Sequence, residues 1–112
     1  MTTFLPIDEN SHPIPALRLK PGSAQAIAAN TSTSSRNSTA FGADTKIVSL
    51  YASGNVYIRF GNSSVTAAST DHYYPSGIYY DFAIGGGRTA QYDHIAVLAA
   101  DSSCTLYVSE KE

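Results

Sequence analysis

The sequence predicts an all-β protein: an antiparallel β-sandwich, jelly-roll or Greek-key-like, of about seven or eight strands with an extended N-terminal arm. From residue 46 onward, short runs rich in β-branched and aromatic residues alternate with turn residues at intervals of about 8–12 residues. Four of the five prolines lie within the first 21 residues, where each removes a backbone donor. These observations divide the chain into an arm, residues 1–21, and a sandwich domain, residues 22–112.

The arm is apolar, although its prolines exclude a helix or a central strand. A solvated linker carries fewer large apolar side chains. The arm therefore either packs along its own domain or docks on a neighbouring subunit or partner. Docking is favoured because an extended segment recruits contact surface at little cost in fold complexity. We predict that its large apolar residues bind a partner: Phe4, Leu5, Ile7, Ile14, Leu17 and Leu19.

The first part of the sandwich domain is the hardest to interpret. Ser23 could cap a helix over residues 24–29, but so short a helix is marginal and the rest of the chain is β. We favour a strand there. Residues 30–39 are almost wholly Ser, Thr and Asn, which indicates an exposed loop or a polar edge strand.

Among the next segments, 56–60 alternates with the period of two that is typical of a half-buried strand, with Val56, Ile58 and Phe60 on one face. Residues 46–52 and 56–60 predict two strands, and the turn residues 53–55 between them predict a hairpin. Residues 63–69 predict a weaker strand.

Three further segments complete the predicted sheets. Residues 78–84 alternate and end at a run of glycines. Residues 94–100 predict a strand buried on both faces, because the run from 95 to 100 is continuously apolar. A turn at 101–103 then predicts a hairpin with a closing strand over 104–109, in which Cys104 points inward.

Composition excludes several classes of protein. Seven basic and nine acidic residues leave a net charge of −2, so a basic nucleic-acid binder is not expected. The apolar runs are far shorter than the roughly 18 residues that a membrane span requires. The N-terminus shows neither basic residues nor an apolar segment of a targeting signal. We therefore expect neither a nucleic-acid nor a membrane partner.

The sequence also lacks the patterns of a catalytic or cofactor site. The segment 61–65 comes nearest to a nucleophile elbow but lacks its second glycine, and 85–88 lacks the residues of a phosphate loop. Cys104 lies in an inward position of an apolar strand, which favours an inert thiol. The pairs Asp71-His72 and Asp93-His94 are adjacent residues that face opposite ways on a strand, which disfavours a metal site. We expect no enzyme activity, no metal and no cofactor.

Tyrosine is the most informative excess, with eight residues in the chain. Tyr73, Tyr74, Tyr79 and Tyr80 flank a Pro-Ser-Gly turn, and we predict that they bind a partner. Tyrosine rings supply contact area at low entropic cost while the hydroxyl still hydrogen-bonds. They could serve protein contacts or stack on sugars. The other four tyrosines lie on or beside predicted strands: Tyr51, Tyr57, Tyr92 and Tyr107.

Several of these segments resemble small virion-associated β-sandwich proteins of tailed phages and gene transfer agents, above all head spike bases of gene transfer agents. Residues 46–67 carry the first part of that pattern, and 71–77 match its "D-x-Y-x-P-x-G" element. Residues 94–96 match "H-I-A", and 105–110 match its closing "T-L-Y-V-S-E". The resemblance runs from about residue 22 to the end and leaves the arm outside.

The resemblance implies a non-enzymatic structural role. A similar protein would be made in the cytoplasm and become an adaptor on the capsid exterior, at capsid vertices, as the base of a head spike or fibre. Its partners would be the capsid protein and the spike fibre protein, and it would form a homo-oligomeric ring, with a pentamer favoured. The alternative is a carbohydrate-binding sandwich that attaches to a host-surface glycan through its tyrosines.

Overall fold

The computed structural model of the chain describes residues 9–10, 17–86 and 90–112. These residues form eight β-strands and no helix. The strands are β1 (Leu19–Ala29), β2 (Ser35–Arg36), β3 (Ile47–Ala52), β4 (Val56–Gly61), β5 (His72–Tyr74), β6 (Tyr79–Ala83), β7 (His94–Ala99) and β8 (Cys104–Lys111). The prediction of an all-β protein with seven or eight strands is confirmed.

The strands form two four-stranded antiparallel sheets. The first sheet has the order β1-β8-β3-β6, and the second has the order β2-β7-β4-β5. Pairing is nested, because β1 pairs with β8, β2 with β7, β3 with β6, and β4 with β5. This nested order is that of a jelly roll, in which a long hairpin of strand pairs is rolled into a sandwich. The predicted antiparallel sandwich is therefore confirmed.

Both predicted hairpins are wrong, because the chain changes sheet at each of their turns. β3 lies in the first sheet and β4 in the second, while β7 lies in the second and β8 in the first. The turn residues bond to one another across the end of the sandwich. Ser53 N donates to Thr105 O at 3.0 Å, and Ala100 N donates to Asn55 O at 2.9 Å. An alternating strand buries one face in either arrangement, so alternation does not distinguish a hairpin from a crossing.

The strand favoured over a helix at 24–29 is confirmed, and it begins earlier than predicted. β1 starts at Leu19, inside the segment assigned to the arm. Pro21 fits because β1 is an edge strand whose pairing with β8 shifts register between Leu19 and Ala24. Gly22 supports that irregularity with a φ of 75°.

The predicted strand over 63–69 is wrong, because that segment is a loop laid over the outer face of the second sheet. Val65 and Ala67 pack on Ala96 of β7, which is fully buried. Arg36 Nη1 donates to Val65 O at 2.8 Å, and Ala67 N donates to Ser34 Oγ at 2.8 Å. This loop covers the outer side of β7 and so explains why that strand is buried on both faces.

The core lies between the sheets and contains side chains from the inward positions of both. Cys104 is only partly buried, and it packs against the edge of this core. The polar segment 30–39 is mostly loop and contributes only the short strand β2. The fully or almost fully buried aliphatic residues include Val48, Leu50, Leu106 and Val108 of the first sheet and Val56, Ile58, Ile95 and Val97 of the second.

Candidate functional site

Three tyrosines form a continuous row across the outer face of the first sheet, and we call them the tyrosine row. Tyr51 of β3 lies opposite Tyr79 of β6 on one side and Tyr107 of β8 on the other. They are 40%, 56% and 49% exposed, respectively. Because neighbouring strands are about 4.8 Å apart, the outer two are anchored about 10 Å from each other.

The row is positioned by the pleat of the three strands. Leu50 and Ala52 on either side of Tyr51 are fully buried, so Tyr51 has to point outward. The Tyr51 and Tyr107 ring centroids are 6.5 Å apart, with an angle of 41° between the rings. Beyond Tyr107 the next position is Ala26, a small exposed residue of β1. The row is therefore an open aromatic surface, and on the β1 side it is bordered by a small side chain.

One ion pair borders the row. Lys111 Nζ lies 3.0 Å from Asp81 Oδ1 and 5.3 Å from the centroid of the Tyr79 ring. Ser49 donates a hydrogen bond to Asp81, and together with Lys111 it holds the pKa of that carboxyl below its usual value. Burial would lower the pKa of Lys111, but the hydrogen bond and the attraction to Asp81 outweigh it, so the pKa is raised. Both groups stay charged around neutral pH, and their charges are paired.

A second surface lies at the edge of the sandwich where β5 and β6 meet, and we call it the lateral groove. β5 pairs only with residues 56–58 of β4, so residues 59–61 have no strand beside them on that edge among the described residues. The resulting groove has a volume of about 1100 Å³. Its lining includes Arg59, Phe60, Asp71, His72, Phe82 and Tyr92.

The floor of the lateral groove is a chain of aromatic rings. Phe60 stacks on Tyr92, with centroids 6.2 Å apart and 20° between the rings. The centroid of the Phe60 ring also lies 5.8 Å from that of Phe82. The centroid of the Phe82 ring lies 5.8 Å from that of Tyr74 and 5.0 Å from that of Tyr80. These rings come from both sheets, so the groove opens directly into the aromatic margin of the core.

The rim of the lateral groove is polar. Asp71 accepts a hydrogen bond from Ala68 N at 2.7 Å, which closes the loop before β5. His72 is exposed, whereas His94 on β7 is buried and bonds to Asp93 at 2.9 Å. Arg59 is exposed and has no ion-pair partner within the described residues. The groove therefore offers an apolar floor and one unpaired positive charge.

The four tyrosines predicted from sequence do not form one site. Tyr79 belongs to the tyrosine row, and Tyr80 points to the other side of β6, beside the floor of the lateral groove. Tyr73 lies on the outer face of the second sheet, 5.7 Å from Tyr57. Tyr74 is 5% exposed and belongs to the core, so it supports the groove from within.

The structure describes only part of the arm. Leu17 is half-buried, and Leu19 is exposed on β1. The remaining predicted partner-binding residues of the arm lie outside the described residues: Phe4, Leu5, Ile7 and Ile14.

Sequence reasoning missed the residues that complete both surfaces. Tyr51 and Tyr107 are outward by alternation, but only the sheet order shows that Tyr79 is their neighbour. By alternation Phe60 and Phe82 share a face with the other apolar residues of their strands, and the short β5 is what leaves them at an open edge.

The described residues were also compared with the requirements of a metal site, a reactive thiol and a membrane-spanning helix. Among them, no group of three or more His, Cys, Asp and Glu side chains comes together in a way that could hold a metal. Burial raises the pKa of the Cys104 thiol. The described residues include no helix long and apolar enough to cross a membrane.

Comparison with known proteins gives no relative. No protein-family model matches the chain, and neither a curated protein nor a solved structure matches it. The likeness to virion proteins therefore rests on the sequence segments described above.

Proposed function

We propose that this chain is a non-enzymatic structural protein of a virion or phage-like particle. In this role it is an adaptor on the capsid exterior, at capsid vertices, where a homo-oligomeric ring, favoured as a pentamer, forms the base of a head spike or fibre. Its partners are the capsid protein and the spike fibre protein.

The observation that carries the proposal is the tyrosine row. Three exposed rings on one sheet face present apolar area that a protein partner can cover, and tyrosine is enriched at protein interfaces. Two charged groups that border it, Asp81 and Lys111, pair with each other. A partner that covers this face therefore leaves neither of these two charges unpaired.

A second, separate contact surface supports an assembled state. The lateral groove lies at the β5–β6 edge, whereas the tyrosine row lies on the outer face of the first sheet. A subunit in a ring meets its neighbour through two different patches and still needs another surface for the capsid or fibre. The jelly roll is used by capsid proteins and by lectins alike, so the fold agrees with the proposal without deciding it.

The direct test is the copy number of the chain in purified particles. Particles sedimented from a native lysate and washed should retain the chain, and quantitative mass spectrometry should give one ring per occupied vertex. Recovery of the chain only from the soluble fraction would exclude the proposal.

Paired variants then test the tyrosine row. Tyr51→Ser with Tyr107→Ser should reduce retention on washed particles by about tenfold or more, because interface tyrosines often act as hot spots. Tyr57→Ser is the control, since Tyr57 lies on the outer face of the opposite sheet and outside both the row and the groove lining. Unfolding curves should show that all variants remain folded. Equal retention of the row variant and the control would remove the row from the contact.

The alternative function is binding of a host-surface glycan, and the spacing of the row is what favours it. Tyr79 and Tyr107 are anchored about 10 Å apart, a span over which a short oligosaccharide could stack on successive rings. A glycan array followed by titration of the full chain tests this. Saturable binding that Tyr51→Ser abolishes and Tyr57→Ser preserves would support the alternative, and a flat titration of folded protein would remove it.

A further inference from the structure

We propose that the lateral groove receives the N-terminal arm of a second copy of this chain. The inference rests on the proposed function, since it names the partner that joins neighbouring subunits of the ring. In it, the apolar side chains Phe4, Leu5 and Ile7 of one subunit cover the aromatic floor of the next.

The shape and chemistry of the lateral groove fit an extended apolar segment. A short β5 leaves residues 59–61 of β4 open at the sheet edge, and β6 is the edge strand of the other sheet. Extended segments bind such edges through backbone hydrogen bonds, with pockets for alternate side chains. Phe60, Phe82 and Tyr92 provide the apolar floor between the two edges.

The arm is the segment of this chain that matches the groove. It carries Phe4, Leu5 and Ile7 near its start, and Pro6 among them favours extended backbone. Sixteen residues precede Leu17, which is about 50 Å of extended chain. That length reaches well beyond the sheet, which is about 14 Å wide from β1 to β6.

The charges of the arm and of the lateral groove are also complementary. Arg59 at the rim of the groove is exposed and unpaired within the described part of the chain. Asp8 and Glu9 follow directly after the apolar cluster of the arm. Once the apolar side chains occupy the floor, these two carboxylates come to the rim, where Arg59 can pair with one of them.

The two edges lie on opposite sides of the sandwich, which is the arrangement that a head-to-tail contact between copies requires. The arm joins the sandwich at β1, where Arg18 N donates to Glu112 O, and the groove lies at the opposite edge of that sheet. A donor at one edge and an acceptor at the other give the head-to-tail contact of a closed ring.

Photocross-linking between differently labelled copies tests the inference directly. Full chain with benzoylphenylalanine in place of Phe4 is mixed with ¹⁵N-labelled chain and irradiated. We expect cross-links from position 4 to groove peptides that contain Phe60, Phe82 or Tyr92 of the labelled copy. Cross-links only within one copy, or cross-links that avoid the groove, would overturn the inference.

Self-association of variants supplies a second measurement. Arg59→Glu should weaken association, measured by analytical ultracentrifugation, by about tenfold, and Asp8→Lys with Glu9→Lys should restore it. Tyr92→Ser in the groove should weaken it as well, while Tyr57→Ser, on the outer face of the second sheet and outside the groove lining, should not. Circular dichroism checks that each variant is folded. Unchanged association of folded Arg59→Glu and Tyr92→Ser would contradict the inference.

The two proposals fail in different ways. If the chain is retained on particles but position 4 never cross-links to the groove, the arm exchange is wrong and the virion role stands. If groove cross-links form but the chain is absent from particles, the exchange stands and the virion role is wrong.

Discussion

Thr45 Oγ1 donates a 2.6 Å hydrogen bond to Oε1 of Glu110, a carboxylate that is only 5% exposed near the end of β8. The same oxygen accepts from Gly42 N at 2.8 Å and lies 4.0 Å from Lys20 Nζ. Lys20 in turn pairs with Asp44 at 3.5 Å. A buried carboxylate thus ties the loop between β2 and β3 to the first sheet.

Loss of this carboxylate should destabilise the sandwich. Glu110→Ala leaves the buried hydroxyl of Thr45 and the partly buried N–H of Gly42 without their acceptor, so we expect a loss of about 2 kcal/mol in the free energy of unfolding. Glu110→Gln keeps an oxygen acceptor and should lose less. Glu112→Ala is the control, because its ion pair with the exposed Arg18 is worth under about 1 kcal/mol. Urea unfolding measures all three, and equal losses for Glu110→Ala and Glu112→Ala would contradict this account.

The ion pair of Asp81 and Lys111 should shape the pH dependence of stability. The pKa of Asp81 is lowered on folding, so its contribution is present above about pH 4 and is lost as pH falls through the lowered value. The pKa of Lys111 is raised, so its contribution is present below about pH 10 and is lost as pH rises through the raised value. The effect is small, under about 1 kcal/mol, because Asp81 is half exposed.

Asp81→Asn tests both limbs of that profile. We expect the variant to lose less stability than the wild type below about pH 4 and above about pH 10. Unfolding midpoints in urea across this range measure the difference. Asp101→Asn, on an exposed turn, controls for the loss of one carboxylate. Parallel profiles for wild type and Asp81→Asn would show that the pair contributes nothing.

The sequence predicts the fold class because the alternation of apolar and polar residues within one strand determines which of its faces is buried. In β4, for example, Val56 and Ile58 were assigned to one face, and both are buried. The partners of each strand depend on contacts between distant residues, which alternation does not report. Ser53, Gly54 and Asn55 have turn chemistry in a hairpin and in a crossing alike, so the two hairpins were placed wrongly.

The candidate surfaces could be predicted only in part. Neighbouring tyrosines in a strand face opposite ways, so Tyr73 and Tyr74, or Tyr79 and Tyr80, could not share one face. That rule alone separates the predicted cluster. Tyr79 lies beside Tyr51 because of the register in which β6 pairs with β3. A local sequence pattern does not specify that register.

The loop over β7 should be held mainly by one arginine. Arg36→Ala removes the bond from Nη1 to Val65 O, and we expect a loss of about 1.5 kcal/mol in the free energy of unfolding. The amide of Ala67, bonded to Ser34 Oγ, should then exchange its hydrogen faster. Arg59→Ala is the matched control and should change stability by no more than about 0.5 kcal/mol. Unchanged exchange at Ala67 in Arg36→Ala would mean that packing on Ala96 suffices.

The Cys104 thiol should react slowly in the folded protein. Partial burial raises its pKa and so lowers the thiolate fraction, and its Sγ and Cβ lie close to Gly54, which restricts access. Alkylation at pH 8 should be many times slower than in urea. Cys104→Ser with Ser102→Cys moves the thiol to an exposed turn and should restore fast labelling. Fast labelling of the native wild-type thiol would contradict its burial.

Two adjacent tyrosines provide the sharpest test of the core. The Tyr74 hydroxyl shares its proton between the carbonyl oxygens of Leu50 and Ile78, and burial raises its pKa. Tyr74→Phe should therefore lower the free energy of unfolding by about 1–2 kcal/mol, because buried carbonyls lose their donor. Tyr73→Phe removes the same atom from an exposed ring and should change it by less than about 0.5 kcal/mol. Urea unfolding of the two variants decides, and equal effects would mean that the Tyr74 hydroxyl does not bind β3 to the β5–β6 turn.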